Sequence, residues 1–140
     1  MKKYVVLILL IIMFSLSFSG CGSQKGEVGA VLDYGFPLAL GQKAVVFEQG
    51  LEIKFLEVIE DSRCPSGTNC QWPGRVSVKI ELNNDGESYQ MVLIQPGLSS
   101  DPSEEYYEDY RLVYQINPYP QAGAQIKKDD YRLLLTISKQ

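Results

Sequence analysis

A two-residue alternation of apolar and polar side chains governs the middle of the chain and argues against a helix there. Val76, Val78, Ile80 and Leu82 are separated by Ser77, Lys79 and Glu81, and after Asn84-Asp85-Gly86 the pattern resumes as Tyr89, Met91 and Leu93. Successive side chains of a strand point to opposite faces, so such a run is apolar on one face and suits a half-buried strand. Asp-Gly between two alternating runs is a strong hairpin signal, because glycine accepts the positive φ that a tight turn demands. Residues 75–94 are therefore expected to form a hairpin.

Further strand candidates are 43–48, 51–59, 110–116 and 131–138, the last with Tyr131, Leu133, Leu135 and Ile137 on one face. No helical period is sustained through this region, and without crossover helices the strands must pair antiparallel. The expected fold is all-β, a six-stranded antiparallel β-sandwich with a partly open β-barrel as the alternative. Gln95 to Asp109 and Asn117 to Asp130, rich in Pro, Ser, Gly and acids, read as long loops. Loops of this length in a compact domain often carry function, so a binding surface is expected there.

The N-terminus has a different grammar. Met1-Lys2-Lys3 precedes an apolar run from Tyr4 to Phe14, followed by small residues up to Gly20 and Cys21. A basic start, a short apolar core and a small-residue cleavage site are the parts of an export signal, and the apolar run is too short to span a bilayer comfortably. Phe18-Ser19-Gly20-Cys21 resembles the bacterial lipobox, with Phe18 in place of the usual Leu. The resemblance implies that residues 1–20 form a cleaved signal-peptide helix and that Cys21 carries palmitate-type acyl chains, which hold the mature chain to a membrane. Residues 21–30 then read as a lipidated tether and 31–140 as one β-rich domain on the extracytoplasmic side of the cell envelope.

Loss of Lys2 and Lys3 with the signal takes the formal net charge from −4 to about −6, and no basic run remains. Such a domain repels phosphate backbones, which argues against nucleic-acid partners. The chain has no histidine. That removes the commonest general base near neutral pH and the commonest transition-metal ligand, so neither a metal nor another cofactor is expected.

The stretch Glu60-Asp61-Ser62-Arg63-Cys64-Pro65-Ser66-Gly67-Thr68-Asn69-Cys70-Gln71-Trp72-Pro73-Gly74 is the least random of the chain. With Cys21 committed to lipid, Cys64 and Cys70 most simply close a disulfide loop worth roughly 2 kcal/mol by chain-entropy reasoning. A redox or metal pair is the alternative, but the spacing is not that of a C-x-x-C motif. Trp72 reads as a core aromatic packed on the loop, with a binding platform as the alternative. Asp61 and Arg63 read as a charge-assisted pair fixing the loop; alternatively Arg63 holds an external carboxylate.

Asp-Ser-Arg-Cys-Pro followed five residues later by Cys70-Gln71-Trp72-Pro73-Gly74 resembles a motif of small, mostly uncharacterised bacterial lipoproteins and secreted domains. Ile116-Asn117-Pro118-Tyr119-Pro120 and Asp130-Tyr131-Arg132-Leu133-Leu134-Leu135 are similar to the same group, so that the likeness spans about residues 45–138. Gln71-Trp72-Pro73-Gly74 departs from the group's usual apolar-Trp-Ala-Gly ending. The resemblance implies a disulfide-clipped β domain and no activity.

Three functions follow as expectations. The first is a non-catalytic binding module meeting an envelope or extracellular protein or a glycan through Tyr106, Tyr107, Tyr110 and Tyr119, since tyrosine offers large contact area at low entropic cost. The second is a hydrolase using carboxylates among Glu104, Glu105, Glu108, Asp109, Asp129 and Asp130, although these sit in Pro/Ser-rich surroundings that favour solvated acids. The third is protease inhibition by a rigid Cys64–Cys70 loop.

Overall fold

Each alternating run becomes a strand whose apolar side chains meet those of a second sheet. The structure, a computed structural model, describes residues 26–97 and 101–140. The expected signal helix, Cys21 and the tether as far as Lys25 lie outside the described residues. In chain order the strands are β1 (Val28–Ala30), β2 (Phe36–Ala39), β3 (Lys43–Val46), β4 (Leu51–Asp61), β5 (Arg75–Asn84), β6 (Glu87–Pro96), β7 (Ser103–Tyr107), β8 (Tyr110–Asn117) and β9 (Arg132–Lys139).

One sheet has the order β1-β3-β4-β5-β6 and the other β2-β9-β8-β7. Neighbours are antiparallel except β1 and β3, which run parallel. The two sheets face one another as a β-sandwich, and no barrel closes among the described residues. Leu38, Ile53, Phe55, Val78, Ile80, Leu112, Tyr114 and Leu135 are among the side chains packed between them. Burial of alternate positions repeats along β5, β8 and β9, as the alternation requires.

The six antiparallel strands expected are nine among the described residues, with β2 an addition and β1 parallel to β3, and two segments need correction. Val28–Ala30, placed in the tether, pairs with β3 and buries Ala30, so the folded domain begins before residue 31. The segment 95–109, read as a long loop, contains β7, which pairs with β8 from Ser103↔Tyr114 to Tyr107↔Tyr110. The positions in register with the buried residues of β8 are Ser103, the exposed Glu105 and Tyr107, so no apolar alternation announces it.

The sandwich has two distinct ends. At the hairpin end lie the turns 47–50, 85–86 and 108–109, tied across the sheets where the Asn84 Nδ2 donates to Glu108 (2.6 Å) and the Tyr110 hydroxyl to Gln49 (3.4 Å). At the loop end lie the segment between β4 and β5 and the segment between β8 and β9. Along the open side, the Tyr114 hydroxyl donates to the Ile94 carbonyl (2.9 Å) and accepts from the Ile94 N–H (3.2 Å), while Gln95 Oε1 accepts from the Ile116 N–H (2.7 Å). These bonds satisfy backbone groups of β6 and β8 that no strand reaches.

Candidate functional site

The loop end is built round one guanidinium. Arg63 leaves the end of β4 with its side chain 1% exposed and donates Nε and Nη2 to the two oxygens of Asp61 at 2.8 and 2.6 Å. Its Nη1 donates to the Ile116 carbonyl (2.9 Å) and Nη2 also donates to that of Pro118 (2.8 Å), fifty-odd residues away in sequence. The Tyr119 ring covers the guanidinium with its centroid 5.1 Å from Cζ, and its hydroxyl donates to the Cys64 carbonyl (2.9 Å). The Tyr131 hydroxyl donates to Asp61 Oδ2 (2.9 Å). A buried charge is tolerable only when it is paired and hydrogen-bonded, and here every guanidinium nitrogen donates to an oxygen of the chain.

The electrostatics follow from that packing. Burial pushes the Asp61 carboxyl upward, but the hydrogen bonds and charge of Arg63, with the bond from Tyr131, outweigh it and leave the group below its ordinary value. Burial, reinforced by the bond to Asp61 and its negative charge, raises the Tyr131 hydroxyl to about 12.

Two further clamps hold the loop above this hub. Cys64 and Cys70 form a disulfide with Cα atoms 5.9 Å apart. Ser66 bridges to Gln121: its N–H donates to the Pro120 carbonyl (3.0 Å), its carbonyl accepts from the Ala122 N–H (3.0 Å), and its hydroxyl donates to Gln121 Oε1 (2.5 Å). At the base, the Cys64 N–H donates to the Pro73 carbonyl (3.0 Å) and the Gly97 N–H to that of Gly74 (2.9 Å). Gly74 is required there. Its φ is +67°, and a Cβ would lie 1.8 Å from the Ser62 carbonyl oxygen.

Trp72 crowns this clamp at 75% exposure, so the reading of it as a core aromatic is overturned. Pro73 and Gly74, which follow it, accept backbone bonds from Cys64 and Gly97, so the loop base is fixed with the indole left outside the buried core. Arg63, in contrast, is buried and makes four side-chain hydrogen bonds within its own chain, the arrangement expected of an Asp61–Arg63 pair that fixes the loop.

The four tyrosines grouped as a contact surface are split by the fold. Tyr110 is buried at the start of β8, and Tyr119 is half-buried in the Arg63 hub. Tyr106 is 51% exposed on edge strand β7, whereas Tyr107 turns inward, packs against the core and stacks on Tyr89 with ring centroids 5.6 Å apart. Tyr89 itself, 53% exposed, was missed as a surface residue because its parity in β6 assigns it to the core face. The stacked tyrosine pair at the open side near the hairpin end is thus Tyr89 and Tyr107, with Tyr106 on the opposite face of edge strand β7.

The acids do not converge. Glu104 accepts from Arg111 Nε and Nη2 at 2.9 and 2.5 Å, which with the positive charge lowers its carboxyl below the usual value. Glu108 accepts from Asn84, and Asp130 accepts from the Lys127 N–H within its own 3-10 turn (Lys128–Asp130) at the loop end. Comparison with protein-family models, with curated proteins and with solved structures gives no match, so geometry alone speaks for the role of these surfaces.

Proposed function

We propose that the chain is a lipid-anchored, extracytoplasmic, non-catalytic binding module that meets a protein or glycan of the cell envelope through Tyr89, Tyr106 and Tyr107. The observation that carries this reading is the aromatic rim where edge strands β6 and β7 adjoin, the stacked Tyr89 and Tyr107 on its inner side and the exposed Tyr106 on the outer face of β7. Tyrosine presents a broad apolar face with a polar tip and loses little conformational freedom on binding. The export signal and Cys21 of the sequence support the anchor, and the Cys64–Cys70 disulfide suits an oxidising compartment. Dispersal of the carboxylates to opposite ends of the sandwich weakens the hydrolase alternative.

The test is capture of envelope proteins and envelope glycans by the tagged mature domain, repeated with Tyr89→Ala and Tyr106→Ala together. Capture of a specific partner should drop at least severalfold, with the melting temperature within a few degrees of wild type because both side chains are half exposed. Capture that is indifferent to both substitutions removes this surface from the proposal.

A further inference from the structure

The position of the anchor relative to the fold orients the domain. β1 runs parallel to β3, from Val28 beside Ala44 to Ala30 beside Val46 at the hairpin end. The preceding residues lie toward the loop end: Glu27 pairs with Lys43 (3.1 Å), and the Gly26 carbonyl accepts from Gln42 Nε2 (2.8 Å). Gln42 follows Ala39, which is in register with Arg132 at the loop end of β9. The chain therefore enters the domain travelling away from the loop end. From Cys21 to Gly26 there are only five Cα steps, a reach of at most about 17 Å.

The loop end also has the surface for a bilayer. Trp72 projects beside Pro73 from a backbone that the disulfide, the Ser66–Gln121 bridge and the Arg63 hub immobilise. Indole is the side chain best suited to the headgroup region, apolar in its body with one N–H donor. Charge separates in the same sense. Arg75, Lys127, Lys128 and Arg132 offset the acids of the loop end, whereas Glu48, Asp85, Glu87, Glu108 and Asp109 crowd the hairpin end beside Lys139. Phe47 and Tyr34 are exposed at that far end, but its acidity opposes contact with an anionic leaflet.

We infer that the loop end rests on the membrane that holds the anchor, with the Trp72 indole seated among the lipid headgroups, and that the tyrosine surface is thereby directed outward. This rests on lipidation of Cys21, proposed above. A rigid tip at the end from which a short tether enters favours one orientation of the domain at little further entropic cost, because the anchor has already removed its translational freedom.

Trp72 is the chain's one tryptophan, so its fluorescence reports on this contact alone. The full lipidated protein is reconstituted into vesicles of phosphatidylethanolamine and phosphatidylglycerol, and the mass of its N-terminal peptide is measured on the same sample. The expected result is a blue-shifted emission, quenched more by lipids brominated near the carbonyl than by lipids brominated near the chain end, and severalfold protected from aqueous iodide. Lipidated protein whose tryptophan is open to iodide and indifferent to brominated lipid overturns the docking while leaving the anchor intact. A blue shift without bromine quenching means that protein covers the indole, which also overturns it. An unmodified Cys21 in the mass spectrum removes the anchor reading and this inference together.

Discussion

Arg63 turns three chain segments into one rigid end, and the argument is one of valence. A lysine at that position carries the charge but not the planar fork that serves Asp61, Ile116 and Pro118 at once. Arg63→Ala leaves the largely buried Asp61 carboxylate with only its bond from Tyr131 and removes a donor from two carbonyls, so a loss of about 3–5 kcal/mol is expected, with Arg63→Lys recovering only part of it. Chemical denaturation of the three proteins checks both the size and the order. The hub also fixes the pH dependence. Tyr131 has a folded value near 12 against an ordinary value near 10, so its contribution is complete below about pH 10 and is lost as pH rises toward 12. Asp61, lowered on folding, contributes above about pH 4 and loses that contribution as pH falls further. In Tyr131→Phe the alkaline loss should shrink without vanishing, because burial also raises Tyr114; melting curves from pH 8 to pH 12 measure it. An unchanged alkaline limb would show that Tyr131 does not titrate against Asp61. The Asp61–Arg63 pair was legible from its spacing beside a cysteine loop. Its partners were not, since Tyr119 and Tyr131 reach it only through the pairing of β8 with β9.

At the scale of elements, legibility tracked how much apolar surface each strand buries. β4, β5, β8 and β9 lie inside their sheets, and their alternation announces them. β1, β2 and β7 are short edge strands, carrying Gly29, Pro37 and the acids Glu104 and Glu105, the residues by which natural edges resist further pairing. Those same residues erase the pattern from which a strand is inferred. The loop between β4 and β5 was legible as a disulfide loop, yet the outward direction of Trp72 depends on a backbone packing that only Gly74 permits. Gly74→Ala places a methyl against the Ser62 carbonyl and should cost more than the ~1–2 kcal/mol that a left-handed backbone alone imposes on a non-glycine residue. Gly86→Ala is the matched control: its φ is +92°, but nothing lies within 4 Å of its added Cβ. Urea unfolding of the pair should rank Gly74→Ala as the more damaging, and equal losses would mean that the loop base yields to the methyl.

For the whole molecule, the proposed lipoprotein has its β domain and its lipid anchor as separable parts. Among the described residues the core runs from Ala30 to Ile137, and in the proposed lipoprotein the primary hold on the membrane is the lipid on Cys21. Cys64 and Cys70 are committed to each other, which leaves Cys21 as the single thiol able to accept a diacylglycerol. Two or three acyl chains pass the threshold for stable anchoring, whereas the acidic domain alone has little attraction for anionic lipid. Cys21→Ser is therefore expected to accumulate as unprocessed precursor or as protein released from membranes, to lose incorporation of a fatty-acid probe, and to keep the melting temperature of the β domain within a few degrees of wild type. Metabolic labelling with membrane fractionation reads the first two outcomes, and thermal unfolding of the purified mature domain reads the third. A mutant that still labels and still sediments with membranes would sink the lipoprotein reading. A mutant that is released but has lost its cooperative unfolding would show instead that the N-terminal segment belongs to the fold.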